Sequence, residues 1–112
     1  MRSPSIARAA ALAALIAGPA VPAVAQEAVR LTIRDHRFEP AEIRVPAGKP
    51  ITLLVKNADP TPEEFESKAL RVEKVIAGNG EAKIPLKPLK AGRYTFFGEY
   101  HERTAQGALV AE

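Results

Sequence analysis

The stretch VRLTIRDHRFEPAEIRVPAGKPITLLVKN, residues 29–57, alternates apolar and polar side chains on both sides of proline- and glycine-bearing turns. Val29, Leu31 and Ile33 fall on one face of a strand, with Arg30, Thr32 and Arg34 on the other. A period of two over such a span is the mark of a half-buried β-strand. Ile43 and Val45 continue it, a Pro-Ala-Gly turn follows, and Ile51, Leu53 and Val55 form the next apolar row. No helical period competes anywhere in the stretch.

The pattern extends to the end of the chain. KALRVEKVI (68–76) reads as a further strand with Leu70 and Val72 inward, and AGNG (77–80) as a hairpin-like turn. EAKIPLKPL alternates through Ile84 and Leu86, AGRYTFFGEY places Tyr94 and Phe96 on one face, and GALVAE closes the chain. Seven to eight short strands with turns every 8–15 residues imply an all-β fold, an antiparallel Greek-key sandwich. The prolines at 40, 46, 50, 60, 62, 85 and 88 suit edges and turns. One segment departs from the rhythm. NADPTPEEFESKALRVEK (57–74) carries two prolines and the glutamates Glu63, Glu64, Glu66 and Glu73, and reads as a loop of the kind that holds function on a sandwich.

The first quarter of the chain reads differently. Arg2 and Arg8 precede an apolar run from Ala9 to Ala17, then a Gly-Pro break and a small-residue AVA ending at Ala25. This is the layout of a secretory signal, and the apolar run is short of the roughly 20 residues a membrane span needs. The expected organisation is a cleaved leader over 1–25 and one domain over 26–112, exported to the periplasm, with no transmembrane segment in the mature chain. The whole chain has 16 basic and 13 acidic residues; the two leader arginines removed, the balance is 14 to 13. With no basic patch interleaved with aromatics, nucleic acid is excluded as a partner. There is no cysteine, so neither a disulfide nor a thiolate is available. No G-x-S-x-G elbow and no glycine-rich phosphate loop occur, which argues against hydrolase chemistry. Carboxylates and two histidines remain, a palette for hard and borderline metals.

Three segments resemble the cupredoxins, the small Greek-key sandwiches that carry type 1 copper. FEPAEIRVPAGKPITLLVKN (38–57) is similar to the family's opening pattern, and GRYTFFGEYHERTAQGALVA (92–111) to its closing ligand loop. FES (65–67) sits where the family places its first histidine ligand. Set against that pattern, Gly98 stands in place of the cysteine, His101 in place of the second histidine, Gln106 in place of the axial methionine and Glu66 in place of the first histidine. A type 1 blue site needs two His and a Cys, so the resemblance implies the fold but excludes the electron-carrier site. It implies instead an oxygen-rich iron or copper site at one end of the sandwich. Its expected ligands are His101 and Glu66, converging from two loops, with Glu99, Glu73, Glu64 and Gln106 as additions.

Less metallic alternatives exist for each. Glu73 could pair with Arg71 or Lys74, and Gln106 could hydrogen-bond within its turn. Glu63 and Glu102 read as solvated, and His36 as an exposed strand-end residue far from the loop end. A narrower likeness, in DPTPEEFES, EK and GEYH, is to the small periplasmic cupredoxins of bacterial ferrous-iron uptake and the cupredoxin part of EfeO lipoproteins. It implies iron or copper handling, with an iron permease or a periplasmic iron-binding protein as partner and at most a ferroxidase-like role. The rival expectation is a metal-free cupredoxin-fold interaction subunit or chaperone.

Overall fold

The computed structural model describes residues 27–112 and, before them, only Ser3. The expected leader lies outside the described residues. Among the described residues nine strands form: β1 (Glu27–Arg34), β2 (Arg37–Glu39), β3 (Glu42–Val45), β4 (Ile51–Asn57), β5 (Glu63–Ser67), β6 (Val72–Ile76), β7 (Glu81–Leu86), β8 (Gly92–Gly98) and β9 (Gln106–Ala111). A single 3-10 turn, Glu99–His101, follows β8. Among the described residues no helix is long and apolar enough to cross a membrane.

The strands divide into a four-stranded sheet, β2-β1-β4-β7, and a five-stranded sheet, β3-β9-β8-β5-β6. This is the expected all-β Greek-key sandwich. The sheets are mixed and not wholly antiparallel as expected, because β1 pairs with β4 and β3 with β9 in parallel. The cause lies in the chain path: after the β1–β2 hairpin the chain crosses to the other sheet for β3 and returns for β4 beside β1. Such crossings are what bind two sheets into one core.

The alternation seen in the sequence fills that core. Leu31, Ile33, Leu53, Val55, Ile84 and Leu86 point inward from the first sheet, and Ile43, Phe65, Phe96 and Leu109 from the second, all 5% exposed or less. Phe38 bridges the sheets, its ring edge-on to Phe65 and Phe96 at centroid distances of 5.9 and 5.0 Å. Edge-to-face contact of this kind adds to simple burial.

The segment read as a loop over 57–74 is in large part a hairpin. Its prolines and glutamates argue against a strand by propensity. Phe65, fully buried, overrides them: it anchors β5 between β6 and β8. Asn57 prepares the entry. Its side-chain amide donates to the carbonyls of Thr61 (2.8 Å), Ile76 (3.3 Å) and Ala77 (3.3 Å), while its oxygen accepts the Asp59 N–H at 3.0 Å. Asp59 then serves the β1–β2 turn. Asp35 and His36 both have positive φ, 52° and 57°, as a two-residue hairpin turn of this hand demands. The Asp59 carboxylate accepts both their N–H groups, at 2.8 and 3.0 Å.

Asn57→Ala should therefore lower stability by about 1–3 kcal/mol, since it orphans a buried N–H and loosens three carbonyls. Urea denaturation should show a lower midpoint at unchanged slope; an unshifted midpoint would refute this role.

Candidate metal centre

Successive residues of β5 point to opposite faces, so Glu63, Phe65 and Ser67 face the core and Glu64 and Glu66 face outward. Register supplies the rest of the outer group. Glu66 is the direct cross-strand partner of Glu73 on β6. Phe65 is opposite Gly98 on β8, which brings the next residue, Glu99, alongside Glu64. One carboxylate oxygen each from Glu64, Glu66, Glu73 and Glu99 lies within 4.8 Å of all the others. Glu64 is buried, Glu66 half-buried, and Glu73 and Glu99 are exposed.

Like charges this close resist ionising together. The protonated Glu64 carboxyl donates hydrogen bonds to Glu73 and Glu99, and these bonds, then desolvation and the charges of the two neighbours, push it up to about 7. Glu66 is also raised, by desolvation first and then by the charges of Glu99 and Glu73, with Lys68 pulling the other way. Among the described residues no ion pair relieves the crowding. The Arg–carboxylate pairs there are Arg34–Glu39, Arg44 with Glu42 and Glu112, and Arg93–Glu42, all away from this group. Glu73 thus makes no ion pair with Arg71 or Lys74. A divalent cation would supply the missing charge, and an all-oxygen set suits a hard one.

The sequence-based set does not assemble as a whole. Glu64, Glu66, Glu73 and Glu99 come together; His101 and Gln106 do not join them. The expected convergence of Glu66 with His101 fails because β5 turns Glu66 outward, and His101 bonds through Nδ1 to Glu63 instead. Gln106 is exposed and donates to the Glu102 carbonyl at 2.9 Å, the turn bond weighed as its alternative. Two readings are corrected. Glu63 is not solvated but 1% exposed. His36 is not remote: its ring stacks on His101 at 3.5 Å between centroids and 10° between planes. The signals were present in the sequence, since Glu63 shares the inward parity of Phe65, and Asp-His between two alternating strands is a two-residue hairpin loop.

A model of the cupredoxin-like domain matches residues 6–111. The chain belongs to the cupredoxin-like domain family. An uncharacterized protein of Rickettsia prowazekii (strain Madrid E) is 45% identical over 82 residues, 73% of this chain and 66% of that protein, just under two thirds of its length. Among solved structures, auracyanin A, a "blue" copper protein of Chloroflexus aurantiacus, superposes with a TM-score of 0.68 at 15% identity, over 79% of this chain and all of that one. The metal-binding domain of the Cu(I)-exporting P-type ATPase CopA of Streptococcus pneumoniae D39 gives 0.67 at 20% identity, over 76% of this chain and 84% of that one. A Cu(I) form of an amicyanin mutant gives 0.63 at 22% identity, over 80% of this chain and 86% of that one. At these identities the likeness speaks for the fold.

The cupredoxin fold is associated with copper, but the residues here do not fit a blue copper site. The chain has no cysteine. A Cβ on Gly98 would lie 2.7 Å from Glu63 Cδ and 2.7 Å from Ala105 Cβ, so no side chain fits at that position as the protein stands.

The raised Glu64 carboxyl has a consequence for stability. The folded protein holds this proton up to about pH 7, whereas a free glutamate releases it near 4.5. Between these values the folded state binds more protons than the unfolded, so metal-free protein loses stability as pH rises through this window. Glu66 acts in the same direction. Asp59, held low chiefly by the His36 N–H, contributes stability that is lost only on stronger acidification. Melting temperatures of metal-free protein should thus fall from about pH 5 to about pH 8, and Glu64→Gln should flatten the decline. An equally steep decline in Glu64→Gln would refute the assignment.

Proposed function

We propose that this protein binds a hard, redox-active cation, iron first, at Glu64, Glu66, Glu73 and Glu99, and that it supports ferrous-iron uptake in the periplasm. The observation that carries the reading is the group of four converging carboxylates, with no cationic partner at ion-pair distance among the described residues. The secretory layout of residues 1–25 supports export. The likeness of DPTPEEFES, EK and GEYH to the small cupredoxins of ferrous-iron uptake supports iron as the cargo.

Carboxylate oxygens are hard donors and stabilise Fe³⁺ over Fe²⁺. A ligand set of this kind would lower the potential of bound iron and so favour loss of one electron from Fe²⁺ to an external one-electron acceptor. Among the described residues the exposed large hydrophobic side chains are Val75, 54% exposed, and Tyr100, 48%. Val75 is cross-strand from Glu64, and Tyr100 follows Glu99. Apolar spots beside an acidic metal site suit contact with an iron permease or a periplasmic iron-binding protein. The same two side chains would equally serve the second reading, a metal-free interaction subunit.

Metal titration separates the two. Anaerobic Fe²⁺ or redox-silent Mn²⁺ should bind one ion per chain and raise the melting temperature, as any ligand of the native state must. Glu64→Gln/Glu99→Gln should weaken binding at least about tenfold, near 1.4 kcal/mol, with an unchanged circular dichroism spectrum. Affinity should climb between about pH 6 and pH 8 as Glu64 gives up its proton. Absence of binding, or equal affinity in the double variant, would overturn the metal reading and leave the interaction subunit.

A further inference from the structure

The other face of β5 ends in an arrangement that the four-carboxylate group does not explain. Glu63 is 1% exposed, and a carboxylate at that depth is very costly unless fully bonded. It is fully bonded. Oε1 accepts the N–H of Glu64 and the N–H of Tyr100, both at 3.0 Å. Oε2 meets His101 Nδ1. One carboxylate thereby gathers β5, the 3-10 turn and the imidazole. The His36 ring covers one face of that imidazole, and this ties in the β1–β2 hairpin as well. Two further bonds shut the loop, Gly98 N–H to the Ala105 carbonyl and Ala105 N–H to the His101 carbonyl, each at 2.8 Å.

Position 98 is the other half of the observation. A Cβ there would meet Glu63 Cδ at 2.7 Å and Oε1 at 2.9 Å on one side, and Ala105 Cβ at 2.7 Å on the other. The carboxylate of Glu63 and any side chain at 98 compete for one space. Gly98 has extended backbone, φ −96° and ψ 111°, so its glycine is required by this space and not by its backbone.

We propose that Glu63 is an internal substitute for a metal ion. It occupies the volume that a ligand side chain from residue 98 would need, takes the inward nitrogen of His101, and holds together the segments that a metal would otherwise join. This end of the sandwich is then closed without a metal. The inference stands apart from the four-carboxylate site, on the opposite face of β5, and is tested with that site silenced.

The test uses Co²⁺, whose thiolate complexes show intense near-ultraviolet charge-transfer absorption without redox side reactions, in a Glu64→Gln/Glu99→Gln background. Gly98→Cys alone should melt lower and develop no such band on Co²⁺ addition. Glu63→Ala/Gly98→Cys should develop the band and bind Co²⁺ at least tenfold tighter than Gly98→Cys. A band in Gly98→Cys with affinity within threefold of the pair would overturn the proposal, as would a folded pair variant that takes no Co²⁺. Should the pair variant fail to fold, Glu63→Ala decides: it should melt below the parent and regain part of the loss with Co²⁺, which reaches the freed His101 Nδ1. A melting temperature equal to the parent's, or one that Co²⁺ leaves unmoved, would overturn it.

Discussion

A carboxylate buried between two sheets is the constraint on which this end of the molecule rests. Glu63 cannot be solvated where it lies, so the chain must bring it donors, and it brings three from two segments. Each donor has a structural consequence. The Glu64 N–H fixes the local path of β5, the Tyr100 N–H fixes the turn after β8, and His101 fixes the loop that returns as β9. Hydrogen bonds to a charged acceptor are stronger than neutral ones, and a low-dielectric surrounding strengthens them further. The space this leaves at residue 98 admits glycine alone.

Strand parity converts this one commitment into two different surfaces. With Glu63 facing in, Glu64 and Glu66 must face out. The register that sets Phe65 opposite Gly98 then brings Glu99 beside Glu64, while β6 delivers Glu73 opposite Glu66. The inner carboxylate is satisfied by donors; the outer four have chiefly one another. Hydrogen bonds with Glu73 and Glu99 first, then desolvation and the charges of those two neighbours, raise the Glu64 carboxyl to about 7. Such frustration is unfavourable for folding, and proteins tend to retain it where a site must be ready for a ligand.

Much of the fold was legible because a sandwich of this size leaves little choice. Val29 to Ile33 alternates cleanly, the inward rows Ile51, Leu53, Val55 and Ile84, Leu86 recur at every second residue, and each forms the strand that its period implies. The parallel pairings were not legible, since alternation fixes which face a residue takes but not which strand lies beside it. The hairpin at 63–76 was obscured by Pro60, Pro62 and the glutamates, whose poor strand propensity is outweighed by the complete burial of Phe65. Glu64, Glu66 and Glu73 meet on one outward face across the neighbouring strands β5 and β6, and Glu99 joins them from the 3-10 turn just after β8. His101 was singled out as conspicuous, and it is indeed a central residue, but its partner comes from inside the core. A glutamate beside two prolines reads as solvent-facing until the parity of Phe65 is applied to it.

His36 ties the β1–β2 hairpin to the buried carboxylate. Its place over His101 depends on a turn with two non-glycine residues at positive φ, a conformation that costs side-chain-bearing residues energy. The Asp59 carboxylate offsets that cost by accepting both turn N–H groups. Asp59 is itself set by the Asn57 side chain, which also organises the entry to β5. The run from Asn57 to Glu63 therefore positions both partners of His101: through Asp59 it sets the ring stacked on the imidazole, and through β5 the carboxylate bonded to it. A change at Asn57 or Asp59 reaches His101 without touching it, because the imidazole is held between two groups that this one run places.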